Sequence, residues 1–356
     1  MDKFQNKLNF DFKTNQQILK LISYTDSFKG KWNILEQREN VYLKELRKIA
    51  TIESIGSSTR IEGAQLTNVE IKELLENIEI TKLKTRDQQE VVGYYDVLEL
   101  IYESFANISI SKNYIQQLHQ RLLKYSTKDE RHRGKYKNLS NKVVANYPDG
   151  IQKVILNTTE PHLVENEMTD LIDFANQQFK LNEIHPLVII GLFIYEFLSI
   201  HPFQDGNGRL SRLLTNLLLL KNDYQLIQYV SFENLIEQKK KSYYEALMDG
   251  QKDRNTETEK INSWMIFFLA SLETLIQRLE QKYDVFKKKG GYLNERQKKI
   301  KDFIEKEQPI KLADLVKAIP EISIHSLKKD LQYLKIEQII DSIGKNRGTI
   351  YIIKKK

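Results

Sequence analysis

Cysteine is absent from the 356 residues, so disulfides and thiolate metal sites are excluded. Proline is scarce at six residues and glycine modest at fourteen, too few breakers for a loop-rich or all-β chain. Long apolar runs are missing too. The most hydrophobic stretch, Leu187–Ile200, contains Glu196 and is shorter than the roughly 18 residues a spanning helix needs. No apolar segment with a small-residue cleavage site follows the N-terminus, so no secretory signal is read and a cytoplasmic protein is expected, with no membrane role. No internal repeat or low-complexity tract stands out.

What is present is ordinary for a globular protein: 40% hydrophobic and 29% charged residues, long enough for two or three domains. The net charge of +7 is uneven, since Tyr292–Lys356 holds 15 Lys/Arg against 9 Asp/Glu. A basic tail of this kind suits nucleic acid or a plain solvated surface, and both readings stay open.

Helix-period patterns dominate residues 15–285, which predicts a mainly α-helical body. Val41–Ile52 and Asn68–Leu75 are amphipathic, the second following Thr67 as N-cap. One region breaks the pattern. Lys142–Asn146 and Gln152–Leu156 are β-prone and flank Tyr147-Pro148-Asp149-Gly150, a turn signal, so a β-hairpin leaning on the helices is expected. Asp284–Gly291 reads as a linker. Beyond it, helical runs at Glu295–Glu305, Leu312–Ala318 and Ile324–Leu334 precede a hairpin of Gln338–Ser342 and Thr349–Ile353. Three short helices and two strands match a winged helix-turn-helix, with Lys328 and Lys329 on its recognition helix and Lys345 and Arg347 on its wing. The expected division is 1–105, 106–283, a linker at 284–291, and 292–356.

The chemistry concentrates in His201-Pro-Phe-Gln-Asp-Gly-Asn-Gly-Arg-Leu-Ser-Arg212. Pro202, Gly206 and Gly208 end a buried helix and force a compact turn, and leucines at 210, 213, 214, 217 and 218 start a second helix. Gly206, Asn207 and Gly208 then lie at a helix N-terminus, where free amides and the dipole favour an anion. Arg209 and Arg212 share a helix face. Asp205 supplies a hard oxygen ligand suited to Mg2+, and His201 is placed to accept a proton. The set points to phosphoryl transfer.

This segment resembles the signature of the Fic (Fido) family, H-P-F-x-[D/E]-G-N-G-R-x-x-R, and fills every fixed position. The resemblance extends over about Tyr114–Asp249. It implies an enzyme in which His201 deprotonates a Ser, Thr or Tyr hydroxyl that attacks the α-phosphate of ATP, leaving AMP on a target protein or on the chain itself. It implies Asp205 on Mg2+, Gly206, Asn207, Gly208 and Arg209 around the α- and β-phosphates, and Arg212 on the γ-phosphate. The hairpin near Val154 and Ile155 is then a target-docking flap. Tyr243-Tyr244 resembles a pair near the adenine in some members, although Gln251 stands where asparagine is expected beside it. Transfer of UMP or GMP remains open.

Upstream, Ser57-Ser58-Thr59-Arg60-Ile61-Glu62-Gly63 is similar to the inhibitory motif [S/T]-x-x-x-E-[G/N] of the family. Ser58 and Glu62 lie at i, i+4 on one helix face. The resemblance implies a brake in which Glu62 competes with the γ-phosphate for Arg212 and, in some relatives, helps remove AMP from the target. A different class of function also stays open: an ATP-sensing regulator that binds DNA through the C-terminal domain. A homodimer is expected by analogy.

Overall fold

The computed structural model describes residues 3–36, 41–78, 83–146, 152–288, 293, 295–336, 339–344 and 348–354. The elements are, in chain order, α1 (Lys3–Lys7), α2 (Phe12–Glu36), α3 (Val41–Ile61), α4 (Asn68–Glu76), α5 (Arg86–Ser104), α6 (Lys112–Leu122), β1 (Lys142–Asn146), β2 (Gln152–Asn157), α7 (Pro161–Leu181), α8 (Pro186–Ile200), α9 (Asn207–Lys221), α10 (Phe232–Gln238), α11 (Lys240–Gly250), α12 (Asn262–Lys288), α13 (Glu295–Glu307), β3 (Ile310–Lys311), α14 (Leu312–Ala318), α15 (Ile324–Ile336), β4 (Ile340–Ile343) and β5 (Ile350–Ile353). The chain divides into two compact units, residues 1–279 and 280–356. Residues 1–105 therefore pack in one unit with those up to 279.

The larger unit is built around α8. Every side chain from Leu187 to Ile200 is buried, which explains a helix apolar on all faces. Helices α7 and α9 pack against it. On another side α12 approaches closely: Trp264 Nε1 donates to the Gly191 carbonyl at 2.7 Å. A Cβ at Gly191 would lie 2.9 Å from Met265 Sδ, so glycine lets α12 pack this closely without a shift of that side chain. Helix α3 lies across α5 and α10. The ends are written locally. Thr67 and Thr85 form capping boxes with Glu70 and Gln88, and Ser111 caps α6.

Glu196, which interrupts the apolar run, sits in a buried ionic cluster. Lys7 Nζ is 2.5 Å from Glu196 and 3.0 Å from Glu259, and Arg254 lies 3.3 Å and 3.5 Å from the same two carboxylates. Two cations thus face two buried anions, with Glu167 a further 4.0 Å partner of Arg254 at the rim. Arg254→Ala strands part of that negative charge in the interior and should cost about 3–5 kcal/mol, read by denaturant unfolding. A loss below 1 kcal/mol would show that water already reaches the cluster.

Strands β1 and β2 pair antiparallel as the sequence suggests, and β2 rests against α11. The register steps from Val143–Leu156 to Val144–Val154, leaving Ile155 as the extra residue of a bulge. The side chains of Val154 and Ile155, and the 147–150 turn, lie outside what is described.

Two expectations are corrected. Asp284–Lys288, read as linker, continue α12, because no glycine or proline intervenes before Gly290. Among its described residues the second unit has three strands, not two: β3 pairs with β5 through Ile310–Tyr351 and Lys311–Ile350, giving the order β3-β5-β4. A two-residue strand after Pro309 is too short for an alternation pattern to reveal. Ile300, Ile304, Leu315, Leu327, Leu331 and Leu334 form that unit's core. Lys328 and Lys329 lie on α15, both exposed, while Lys345 and Arg347 fall outside the described residues. Among the described residues no helix is long and apolar enough to cross a membrane.

Candidate active site

The turn between α8 and α9 is fixed by its own backbone. His201 is the C-cap of α8 at φ +52°, an unusual left-handed conformation for a non-glycine residue, and Gly206 caps α9 at φ +78°. The Asn207 side chain closes the loop: Phe203 N–H donates to its Oδ1 at 2.9 Å, and its Nδ2 donates to the Phe203 carbonyl at 2.7 Å. That side chain is spent on the turn, so Asn207 offers a ligand only its backbone amide. The first backbone bond within α9 runs from Leu210 N–H to Gly206 O, which leaves the amides of Asn207, Gly208 and Arg209 at the open N-terminus.

Asp205 stands at the mouth of this nest. Its Oδ1 accepts from Gly206 N–H at 2.6 Å and from Arg209 at 3.3 Å, and Arg86 reaches Oδ2 at 3.3 Å. Burial opposes ionisation of Asp205, but Arg209, the Gly206 amide and Arg86 outweigh it and hold its carboxyl below the usual range. Arg209 is 1% exposed and lies 3.4 Å from Glu90. Its Nη1 makes that ion pair without hydrogen-bond geometry, and its Nε makes no hydrogen bond among the described residues. Buried, unsatisfied guanidinium donors beside open amides fit a polyphosphate. Among the described residues no three His, Asp or Glu side chains gather around one point. A Mg2+ ion here suits one carboxylate completed by phosphate oxygens and water.

His201 is half-buried, and its Nδ1 lies 3.3 Å from the Leu198 carbonyl. Nδ1 donates there, which leaves Nε2 as a lone-pair acceptor. Burial first, and then the nearby Lys137 charge, push its pKa down to about 4, so the ring is neutral at pH 7.

Arg209 and Arg212 do not converge here, although they share a helix. Arg212 turns to α3: its Nε donates to Ser58 Oγ at 2.8 Å, and its Nη2 to the Ser58 carbonyl at 3.0 Å and Glu62 Oε1 at 2.8 Å. Burial works against the Glu62 charge, but Arg212 and then Arg209 outweigh it and lower its pKa. Glycine at 208 makes room. A Cβ there would lie 2.3 Å from Glu62 Oε1. Glu62 is the first residue past α3, and Gly63 turns the chain away after it at φ +110°.

Tyr243 is 4% exposed and packs against Tyr244, Trp264 and Phe267 with centroids 5.3–5.8 Å apart. It is a core aromatic near enough to Arg212 and Glu62 to feel both charges. Tyr244 is half-buried beside it. Gln251 is used elsewhere, donating to Tyr195 Oη and Ser199 Oγ.

Several residues escape sequence reasoning because they come from other elements. Arg86 and Glu90 on α5 hold Asp205 and Arg209. Tyr94 and Asn216 donate to the buried Glu233 beneath the Ser58–Arg212 pair. His119 on α6 matters most to the loop. Gly134 N–H donates to its Nδ1 at 2.9 Å, so Nε2 carries the proton and donates to the Asp205 carbonyl at 2.9 Å. Its ring stacks on Phe203 at 3.7 Å and 9°. Only an i, i+4 fit of His119 to the buried face of α6, with Ile115, hints at this.

Burial lowers the His119 pKa to about 4 from 6.5. Folding thus excludes protons that the unfolded chain binds. The stability this contributes is complete above about pH 6.5 and is lost as pH falls toward 4. The melting temperature should fall across this window, and fall less in His119→Gln. Parallel curves for the two proteins would refute the assignment.

The comparisons with known proteins agree with this geometry. Residues 109–219 match the family model described as Fic/DOC family. The protein adenylyltransferase Fic of Drosophila grimshawi is 29% identical over 188 residues, covering 52% of this chain and 36% of that protein, so the chain spans about a third of that relative's length. A Fic family protein from Desulfovibrio desulfuricans G20 superposes with a TM-score of 0.63 at 20% identity, covering 96% of both chains. Fic-1 from C. elegans gives 0.58 at 19% identity, over 76% of this chain and 73% of that one. These two structures speak for the fold. With the His201–Arg212 loop seated between two buried helices inside the matched span, the chain carries a Fic/DOC-family domain.

Proposed function

We propose that the chain is a protein adenylyltransferase that, with Mg2+ as cofactor, moves AMP from ATP to a hydroxyl of a target protein or of itself. The observation that carries this reading is the coincidence at one helix N-terminus of open amides, the unsatisfied donors of Arg209 and a neutral His201 with Nε2 free. The target oxygen attacks the α-phosphorus while His201 Nε2 takes its proton, and the bond to pyrophosphate breaks. The amides of residues 207–209 and the Arg209 guanidinium stabilise charge on the phosphates. Asp205 would hold Mg2+, which would supply neutralisation of the phosphate charge. The β1–β2 hairpin holds the target segment by backbone pairing near the Ile155 bulge.

In the same reading Glu62 is a brake, because it occupies the Arg212 donor that a γ-phosphate needs. The decisive experiment supplies ATP labelled at the α- or the γ-phosphate, with UTP and GTP alongside. Label from the α-position alone on protein supports AMP transfer. Label from the γ-position identifies a kinase instead, and label from UTP or GTP alone changes the nucleotide.

A second reading rests on the C-terminal unit, whose helices and β3-β5-β4 sheet suit a winged helix with Lys328 and Lys329 exposed on α15. DNA binding that weakens steeply with salt, and is lost in Lys328→Ala/Lys329→Ala, would support it.

A further inference from the structure

Lys137 is 3% exposed, yet its three hydrogen-bond acceptors are all neutral oxygens. Nζ lies 2.8 Å from Asn141 Oδ1, 2.8 Å from Thr158 Oγ1 and 3.3 Å from the Ile200 carbonyl. Among the described residues the carboxylates that act on it are Glu160 and Glu167, which attract it from a distance. An ammonium buried without a bonded carboxylate is costly, and such a group needs a reason.

Its position supplies one. Asn141 immediately precedes β1 and Thr158 immediately follows β2, so one ammonium binds both ends of the hairpin. The same segment grips the loop on both sides of His201. Lys137 Nζ holds the Ile200 carbonyl, Lys137 N–H donates to the Pro202 carbonyl at 2.8 Å, and Asn141 Nδ2 donates to the Phe203 carbonyl at 3.1 Å. A displacement of the hairpin is therefore passed to the backbone that carries the imidazole.

We propose that Lys137 is a positioning residue that ties both ends of the β1–β2 hairpin to the His201 loop and keeps a positive charge beside the imidazole. It touches neither nucleotide nor target. The charged groups that act on His201 are Lys137 from the segment before β1, Glu62 from the end of α3, and Asp205 from its own loop. The last two favour the protonated ring, and Lys137 opposes them. Burial lowers the Lys137 pKa to about 8, so the ammonium persists at neutral pH. The consequence for activity rests on the transfer reading above, but the placement does not.

The test reads His201 directly. The full chain labelled with 13C-histidine has six histidines, and the His201 signal is assigned by its disappearance in His201→Gln. In Lys137→Met the His201 titration should move up by about one pH unit or more, as expected when a neighbouring like charge is removed. Lys137→Arg should keep it near the wild-type position. Should Lys137→Met fail to fold, Asn141→Asp sets a carboxylate against the ammonium and is expected to raise the same titration. Thr158→Val removes one tie and no charge. It should speed amide exchange in residues 142–157 while leaving the His201 titration unmoved.

An unchanged His201 titration in Lys137→Met and Asn141→Asp overturns the electrostatic half of the proposal. Unchanged exchange in Thr158→Val and Lys137→Met overturns the mechanical half. Activity gives a separate readout: in a Glu62→Gly background, Lys137→Met should lower kcat and shift the acid limb upward. Absence of transfer in every form, including Glu62→Gly alone, would refute the adenylyltransferase reading and leave the titration and exchange results standing.

Discussion

Glu62→Gly should raise AMP transfer by about ten- to a hundredfold over the wild type under identical ATP and Mg2+. The estimate follows from what Arg212 must give up. Its Nη2 donates to Glu62 Oε1 at 2.8 Å, a charge-assisted bond between a 3% exposed guanidinium and a carboxylate that is still 36% exposed. Such bonds contribute roughly 1.5–3 kcal/mol, and each 1.4 kcal/mol is about tenfold. A γ-phosphate arriving at Arg212 has to displace that carboxylate, and it meets a second negative charge beside Gly208 if it does not. Glycine at 62 removes both obstacles and leaves the Ser58 bonds, so Arg212 stays oriented while one donor becomes free. Ser58→Ala is a control with the opposite expectation: it loosens Arg212 without removing the competing charge and should not activate. Initial rates of label incorporation decide the matter. Equal rates for wild type and Glu62→Gly would remove the brake, and activation by Ser58→Ala as large as by Glu62→Gly would relocate it.

The contrast between the loop and its surroundings shows how far the sequence could be read. His201, Asp205, Gly206, Gly208 and Arg209 are legible because short-range rules govern them: proline and glycine end one helix, leucine spacing begins the next, and the intervening residues share one turn. Ser58 and Glu62 are legible as an i, i+4 pair, and the structure brings them to Arg212 across 150 residues or more of chain. The partners of the loop are not. Lys137, His119, Arg86 and Glu90 each approach it from a different element, and no spacing in sequence encodes a contact made by packing. Packing also decides how two side chains of the site region are used. The carboxamide of Asn207 is taken up by the turn itself, accepting from Phe203 N–H and, beside Asn141, donating to the Phe203 carbonyl. Tyr243 carries a ring suited to a base, but its position on α11 turns it into the aromatic core around Trp264. The C-terminal strands show a further limit, since β3 exists only through its pairing with β5.

His201→Ala in the Glu62→Gly background is expected to lower transfer by about a hundred- to ten-thousandfold, the range for loss of a positioned general base. The direction follows from the tautomer: with Nδ1 engaged by the Leu198 carbonyl, Nε2 is the atom free to take the hydroxyl proton. Nucleotide binding should survive the change, because the anion nest is made by the amides of residues 207–209 and by Arg209, none of which depends on the imidazole. The same preparation should therefore keep its ATP affinity within a few-fold while turnover collapses, a split that unfolding of the loop would not produce. Loop integrity has its own check, since His119 stacks on Phe203 and holds the Asp205 carbonyl without help from His201. If ATP affinity falls in step with turnover, His201 is shaping the turn through its left-handed backbone and its role as base is refuted. If neither falls, the proton goes to another acceptor and the arrangement around Nε2 is not the one that performs the chemistry.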